Sequence, residues 1–170
     1  MRRIAIIGFS GGGKSTLAMR LGELLGIEPT HMDAIHWLHG WRENTVENEI
    51  KALAPVLERD RWIIDGNYSR VLYKERLDLA DTVIFVDVNR FGCFLSAWRR
   101  SRIYRGRTRP DMGEGCQEKL DGEFIKWILI DSRRKRKRWL YIMDEVRKRG
   151  KTTYIFKSKR AINKFLEGMK

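Results

Sequence analysis

The chain lacks most of the features that mark a secreted, membrane-bound or disulfide-bonded protein. Its 170 residues include only two cysteines, Cys93 and Cys116, and no leader-like pattern opens the sequence. We therefore expect free thiols and a cytoplasmic location. No apolar stretch approaches the roughly 20 residues that cross a bilayer, so we expect a soluble protein without a membrane partner.

Acidic residues are scarce relative to basic ones. The chain has 22 Asp and Glu against 35 Lys and Arg, which gives a net charge of +13. Such a charge attracts polyanions, whether nucleotides, phosphorylated metabolites or nucleic acids, and does not distinguish among them. With 42% hydrophobic residues, the chain is long enough for one buried core. We predict a single domain over residues 1–170, with no flexible linker.

A glycine-rich stretch, GFSGGGKST, occupies residues 8–16. It fits the G-x-x-x-x-G-K-[ST] pattern of a phosphate-binding P-loop. In that loop, backbone N–H groups and a helix N-terminus surround an anion, the lysine contacts the β- and γ-phosphates, and the hydroxyl ligates Mg²⁺. The residues predicted to bind the triphosphate are Gly8, Ser10, Gly11, Gly12, Gly13, Lys14, Ser15 and Thr16.

Strand-like and helix-like segments alternate along the chain. Apolar runs typical of strands lie at residues 2–7, 29–33, 61–65, 81–88 and 152–156, and helical periodicity follows the P-loop and covers residues 45–59, 70–77, 91–104 and 160–166. This alternation predicts an α/β fold, a three-layer P-loop domain with a parallel sheet. Ligands of such sheets bind at the carboxyl ends of the strands.

Residues 105–119 interrupt this alternation with a segment rich in glycine and poor in apolar residues. A loop of this length in a compact domain is usually functional or disordered. Arg105, Arg107 and Arg109 alternate along it, which favours a lid that closes over phosphates during transfer. We assign Arg107 and Arg109 a catalytic role. A mobile basic loop without chemistry is the alternative.

Three aspartates follow strand-like runs and are candidates for chemistry. Asp65 and Asp87 both suit a carboxylate that holds Mg²⁺, and we favour Asp65 because Gly66 and Asn67 follow it before any helix. Asp33 ends the second strand-like run and would face the same crevice from the acceptor side. There it would accept a proton from an attacking hydroxyl or orient the acceptor, unless it only caps the turn at residues 34–38.

The basic run at residues 133–138 has two interpretations. It resembles tracts that bind nucleic acid, but it lies in a helical pattern and also suits a solvated helix face. In the second case, which we favour, one or two arginines turn into the phosphate site. We assign Arg134 a catalytic role on this basis, with Arg133 as the alternative, and expect Arg99 or Arg100 at the base of the lid.

The aromatic and histidine residues are less informative. Trp37, Trp41 and Tyr68 would stack on a base or sugar, or would simply cover the core. We expect the remaining tryptophans of helical pattern, which are Trp98, Trp127 and Trp139, in the core. His31, His36 and His39 have no matching ligand set elsewhere, so we expect no zinc site.

Several of these segments together resemble a known family. The P-loop region, HMDAIHW at residues 31–37, WIIDGNYS at residues 62–69 and GRTRPD at residues 106–111 are similar to the FlaR-like bacterial DNA topology modulation proteins, which are related to adenylate kinase. The resemblance implies a nucleoside-monophosphate-kinase-like fold with strand order 2-3-1-4-5, ATP as donor and an arginine-bearing lid. It places Asp65 at the aspartate of the Asp-Gly-x-x-Arg segment, with Arg70 one residue later than that arginine.

Together these features predict an ATP- and Mg²⁺-dependent phosphotransferase of the P-loop kinase kind. Its partners would be ATP and a small acceptor, such as a nucleoside or nucleotide, and its metal residues Ser15 and Asp65. The alternative is an ATP-binding, nucleic-acid-associated protein that influences DNA topology without small-molecule turnover. We make no prediction of the oligomeric state.

Overall fold

The structure is a computed structural model that describes residues 1–169. In chain order the elements are β1 (Arg3–Gly8), α1 (Lys14–Leu25), β2 (Pro29–His31), α2 (Met32–His36), β3 (Trp37–Leu38), β4 (Arg42–Glu43), α3 (Val46–Leu57), β5 (Trp62–Asp65), α4 (Tyr73–Leu79), β6 (Thr82–Val86), α5 (Arg90–Ile103), α6 (Gly122–Leu129), a 3-10 helix (Asp131–Lys135), α7 (Arg136–Lys148), β7 (Thr152–Phe156) and α8 (Lys159–Glu167). Within residues 1–169, no helix combines the length and apolar character that crossing a membrane demands.

A five-stranded parallel sheet in the order β2-β5-β1-β6-β7 organises the domain. Counted by sheet strands alone, this is the order 2-3-1-4-5, so the predicted fold is confirmed. The central strands are almost fully buried because β-branched and aromatic side chains face helices on both sides. Helix α1 contacts β1, β2, β5 and α8, whereas α4 packs on β1 and α7 on β6 and β7.

The strand register brings three polar segments to one edge of the sheet. Asp65 at the end of β5 lies opposite Ile6 of β1 on one side and opposite His31 of β2 on the other. Gly8, where the P-loop begins, lies opposite Val86 of β6. The P-loop, the β2–α2 junction and the end of β5 therefore meet at the carboxyl edge, as expected for a parallel α/β sheet.

The structure corrects several local expectations. The second strand ends at His31, so Asp33 lies in the first turn of α2 and not at a strand end. Helix α4 begins at Tyr73, after a left-handed Leu72 with φ 45°. A short antiparallel hairpin, β3–β4, was not predicted at all.

Two of the three tryptophans assigned to the core lie elsewhere. Trp139 is buried against Phe9 and Phe85, which confirms its assignment. Trp98 is 39% exposed, and its prediction was wrong because the helical spacing of α5 places it on the outer face, beneath Arg102. Trp127 is partly exposed and lines the main cleft.

We expect the substitution Gly8→Ala to destabilise the protein strongly. Gly8 has φ +141°, and a Cβ there would collide with the backbone of Val86. Strain and clash together should lower the free energy of unfolding by about 3 kcal/mol. Gly26→Ala is the matched control, because Gly26 also has positive φ but faces open space; we expect it to cost only about 1 kcal/mol. Urea unfolding measures both, and equal losses would contradict the role of the Val86 contact.

Candidate active site

The P-loop is anchored to the end of β5 by one amide side chain. The Asn67 side chain accepts a hydrogen bond from the Gly8 N–H (3.0 Å) and donates one to the Gly8 carbonyl (2.8 Å). Within the loop, the Gly12 N–H and the Lys14 ammonium both donate to the Phe9 carbonyl. The loop is thus held in a closed turn from which α1 begins at Lys14.

Asp65 connects the P-loop helix with β2. Its side chain is almost fully buried, and its Oδ2 accepts a hydrogen bond from the Ser15 hydroxyl at 3.1 Å. Its Oδ1 lies 2.5 Å from Nδ1 of His31. A buried carboxylate beside a hydroxyl is an oxygen donor set that fits Mg²⁺. The sequence placed both residues at the metal, and the structure brings them together.

Asp87, the other candidate for the metal, pairs with Arg136 instead. The Arg136 guanidinium donates to both oxygens of its carboxylate, with contacts of 2.7 to 3.1 Å. This two-point pairing neutralises Asp87 at the end of β6. The geometry therefore supports the choice of Asp65, while its role as a metal ligand stays a prediction.

His31 is a site residue that the sequence did not identify. Burial disfavours its charged form, but the hydrogen bond and the negative charge of Asp65 outweigh burial, helped by Asp111 and Asp33. The pKa of His31 is therefore raised from its usual 6.5. The register of β2 and β5 pairs His31 with Asp65. Knowledge of that register would have identified His31 as a site residue. Among residues 1–169, no group of three or more His, Cys, Asp and Glu side chains is arranged around a metal position.

Helix α2 and the segment after β5 build the opposite side of the site, where we expect the acceptor to bind. Asp33 Oδ1 accepts a hydrogen bond from the Tyr68 hydroxyl at 2.6 Å. Burial, and then the charge of Asp33, raises the pKa of Tyr68, so the phenol stays protonated and acts as a donor. No side chain caps α2, so Asp33 is not the helix cap considered as its alternative role.

One cleft of about 1230 Å³ joins the P-loop to this acceptor side. The predicted site residues that line it are Ser10, Gly11, Gly13, Lys14, Ser15, Thr16, Asp33 and Arg109. Those that do not line it are Gly8, Gly12, Asp65, Arg107 and Arg134. Gly8, Gly12 and Asp65 support the lining residues from behind, whereas Arg107 and Arg134 are exposed elsewhere.

The arginine-rich segment at residues 105–119 lies against the β3–β4 hairpin. The Trp41 indole N–H donates to the Gln117 carbonyl, and the Cys116 thiol donates to the Leu38 carbonyl. Arg109 is 8% exposed and pairs with Asp111 at 2.8 Å and Glu118 at 2.7 Å. Its charge is therefore already compensated within the segment. Closure of this segment as a lid stays a prediction.

The basic run at residues 133–138 is divided between two helices and several roles. Arg133 donates to the Val88 carbonyl, and its guanidinium lies 3.6 Å from the centre of the Phe9 ring, behind the P-loop. Arg136 pairs with Asp87, and Lys135 lines the cleft. Arg134, Lys137 and Arg138 are exposed. The member of the run nearest the P-loop is thus Arg133, the alternative to Arg134.

Comparison with solved structures identifies the fold. No family model matches the chain, and no curated protein matches it either. The shikimate kinase of Acinetobacter baumannii in complex with shikimate superposes with a TM-score of 0.59 at 18% identity, covering 99% of this chain and 90% of that one. This is a P-loop kinase fold. The shikimate kinase of Bacteroides thetaiotaomicron gives a TM-score of 0.55 at 20% identity, covering 99% and 95% of the two chains.

A nucleoside kinase shares the same fold. Deoxyadenosine kinase from M. mycoides with bound dATP gives a TM-score of 0.53 at 14% identity, covering 98% of this chain and 96% of that one. Identities this low establish the fold and leave the substrate open. The predicted P-loop kinase-like fold is confirmed, whereas membership of the FlaR-like DNA topology family is not shown by any comparison and stays a prediction.

The raised pKa of His31 predicts a pH dependence of stability. Its ion pair with Asp65 stabilises the folded protein fully below about pH 6.5, and this contribution is lost as the pH rises through the raised pKa. In metal-free buffer, the free energy of unfolding of the wild type should therefore fall relative to that of His31→Gln as the pH rises above about 6.5. Urea titrations at several pH values measure the difference.

His39→Gln is the control for this measurement, because His39 is exposed and pairs with no carboxylate in the described part of the chain. A pH-independent gap between wild type and His31→Gln would contradict the ion pair.

Proposed function

We propose that the protein is an ATP- and Mg²⁺-dependent phosphotransferase that acts on a small hydroxyl-bearing acceptor, in the class of nucleosides and nucleotides. The observation that carries this proposal is a single cleft in a P-loop kinase fold that contains Lys14 and Ser15 at one end and Asp33 at the other. Transfer requires donor phosphates and acceptor hydroxyl to meet in one site sheltered from bulk water.

At the donor end, backbone N–H groups of the P-loop and the N-terminus of α1 would hold the triphosphate. Lys14 would leave the Phe9 carbonyl and contact the β- and γ-phosphates. Ser15 and Asp65 are the residues that would hold Mg²⁺, which when bound offsets the negative charge of the phosphates. A solved relative of this fold contains bound dATP, which supports a nucleoside triphosphate as donor.

At the acceptor end, Asp33 would receive the proton of the attacking hydroxyl. The hydrogen bond from Tyr68 fixes one of its oxygens, so the other is available to the acceptor. That a relative of the same fold binds shikimate supports a small acceptor of this kind.

Arginines would neutralise the charge that develops during transfer. Arg99 and Arg100 line the cleft, and Arg100 already pairs with Glu118. Arg109 lines it too and would need to exchange its carboxylate partners for phosphate oxygens. For Arg107 and Arg134 the catalytic assignment requires movement from their exposed positions. We therefore favour Arg99, which lines the cleft and forms no ion pair in the described part of the chain.

The alternative is a nucleic-acid-associated protein of the DNA topology modulation kind. The exposed cations Arg134, Lys137 and Arg138 favour it, as does the net charge of +13. It predicts DNA binding that weakens steeply with salt and that requires these residues. A salt-titrated DNA-binding assay on the triple alanine variant separates it from the kinase, which needs none of the three for binding ATP.

Lys14→Ala should abolish most of the catalytic activity. The variant loses the only cation of the P-loop, so we expect kcat to fall about 1000-fold while the fold persists. The assay is ADP release with ATP, Mg²⁺ and a panel of nucleosides and nucleoside monophosphates. The control is Lys51→Ala, whose lysine pairs with Glu47 on the surface of α3. Wild-type turnover by Lys14→Ala would contradict the assignment.

Asp33→Asn should separate proton transfer from acceptor binding. Asparagine keeps the shape and the hydrogen bond from Tyr68 but cannot take a proton, so kcat should fall about 100-fold or more with little change in KM. Tyr68→Phe removes only the orienting bond and should cost about tenfold. Steady-state kinetics with the best acceptor measures both, and a larger loss for Tyr68→Phe than for Asp33→Asn would argue against Asp33 as the base.

A further inference from the structure

The acceptor end of the cleft is acidic although the chain as a whole is strongly basic. Its lining carboxylates are Asp33, Glu43, Glu49, Asp111 and Glu118. Glu49 is 2% exposed, and its Oε1 lies 2.6 Å from Nδ1 of His36. Glu43 is exposed on β4 and has no cationic partner among residues 1–169. Asp33 and Glu43, which form no ion pair in the described part of the chain, would repel an anionic acceptor entering here.

Most of the cations at this end form ion pairs with carboxylates. Glu118 accepts a hydrogen bond from Arg100 at 2.8 Å and forms an ion pair with Arg109 at 2.7 Å, and Arg109 also pairs with Asp111. Diverting Arg109 to an anion on the acceptor would leave buried carboxylates without their partner, which is strongly unfavourable. Arg70 and Arg99, both exposed, line the cleft without an ion pair in the described part of the chain. Lys119, whose ammonium lies 5.5 Å from the centre of the Trp41 ring, pairs with Asp121 at 3.1 Å. Exposed side chains without a fixed partner do not make a phosphate-binding clamp.

Four aromatic rings also line this end of the cleft, beside the carboxylates. The rings of His36 and Tyr68 are 4.5 Å apart, those of His36 and Trp37 4.6 Å, and those of Trp37 and Trp41 5.4 Å. All four residues line the cleft. Flat heterocycles stack on such faces with little dependence on their identity.

Trp41 is held in place at an energetic cost. It lies in the turn between β3 and β4 with φ 63°, a left-handed conformation that non-glycine residues rarely adopt. The hydrogen bond from its indole to Gln117 secures the ring against residues 105–119. Strained residues of this kind persist where the surrounding structure enforces them, often at ligand sites.

We propose that the acceptor is an uncharged nucleoside whose base stacks on the Trp37 and Trp41 wall, and that the carboxylates at this end of the cleft exclude nucleoside monophosphates. The carboxylates also suit the amino groups of a base, because carboxylate oxygens accept hydrogen bonds from exocyclic N–H groups. This inference rests on the proposed phosphotransferase function. In the reaction, a ribose hydroxyl oxygen forms a bond to the γ-phosphorus of ATP, the bond to the β-phosphate bridging oxygen breaks, ADP leaves, and the hydroxyl proton passes to Asp33.

The first test compares each nucleoside with its 5′-monophosphate, which adds negative charge and occupies the 5′-hydroxyl. Adenosine, deoxyadenosine, cytidine and guanosine are assayed against their 5′-monophosphates, with shikimate as an anionic non-nucleoside. For at least one base, kcat/KM should be about tenfold or more higher for the nucleoside than for its monophosphate. Equal or faster turnover of monophosphates or of shikimate would overturn the proposal, as would turnover of neither class by a protein that binds ATP. Failure to bind ATP in calorimetry would instead overturn the proposed function itself.

The second test reverses one charge without touching the catalytic residues. Glu43→Lys should raise kcat/KM for the monophosphate about tenfold relative to that for the nucleoside. Glu47→Lys is the matched control, because Glu47 is exposed nearby on α3 but does not line the cleft. An equal effect of the two variants would overturn the role of the acidic wall.

The third test uses tryptophan fluorescence, measured without ATP, to locate the bound base. Binding of the best nucleoside should quench tryptophan emission, and Trp41→Leu should remove at least part of the quench and weaken binding. Trp98→Leu should leave the quench unchanged, because Trp98 lies on the outer face of α5, outside the cleft. Quenching that survives in Trp41→Leu with unchanged affinity would contradict the stacking site.

Discussion

The buried carboxylate of Asp65 is the constraint on which the site depends. A carboxylate removed from water needs partners, and Asp65 finds them in the Ser15 hydroxyl and the His31 imidazole. Because β5 lies between β1 and β2, His31 comes from the end of one neighbouring strand, whereas Ser15 lies at the start of α1, which follows the other. Asn67, two residues later, adds the paired hydrogen bonds to Gly8. A single strand end therefore fixes the P-loop, the side-chain oxygens of Ser15 and Asp65 and the start of α2 relative to one another.

The two ends of the cleft above this strand end differ in charge and in the side chains that line them. Lys14 and the helix N-terminus make one end attractive to phosphates, whereas carboxylates and four aromatic rings line the other. The segment at residues 105–119 belongs structurally to the second end, because it packs on the β3–β4 hairpin through Trp41. A movement of this segment would therefore reshape this end of the cleft and carry Arg109 with it.

The sequence predicted the fold, and it paired Ser15 with Asp65, for physical reasons. A P-loop is a local motif, and β-branched runs before Gly8 and Asp65 mark buried parallel strands, so Ser15 and Asp65 were found without knowledge of their contact. The sheet order came from a resemblance to kinases, because periodicity contains no information on which strands are neighbours. His31 was missed since its role depends on register across strands. The pairing of Arg109 and the exposure of Trp98 depend on tertiary packing, which residue spacing does not encode.

The most direct test of the central claim is a crystal structure with a non-hydrolysable ATP analogue and Mg²⁺. The account predicts the β- and γ-phosphates within hydrogen-bonding distance of the backbone N–H groups of residues 11–15, with Lys14 moved from Phe9 onto them. It also predicts the metal beside Ser15 and Asp65, directly or through water. A triphosphate bound outside the P-loop, or a metal distant from both side chains, would contradict it.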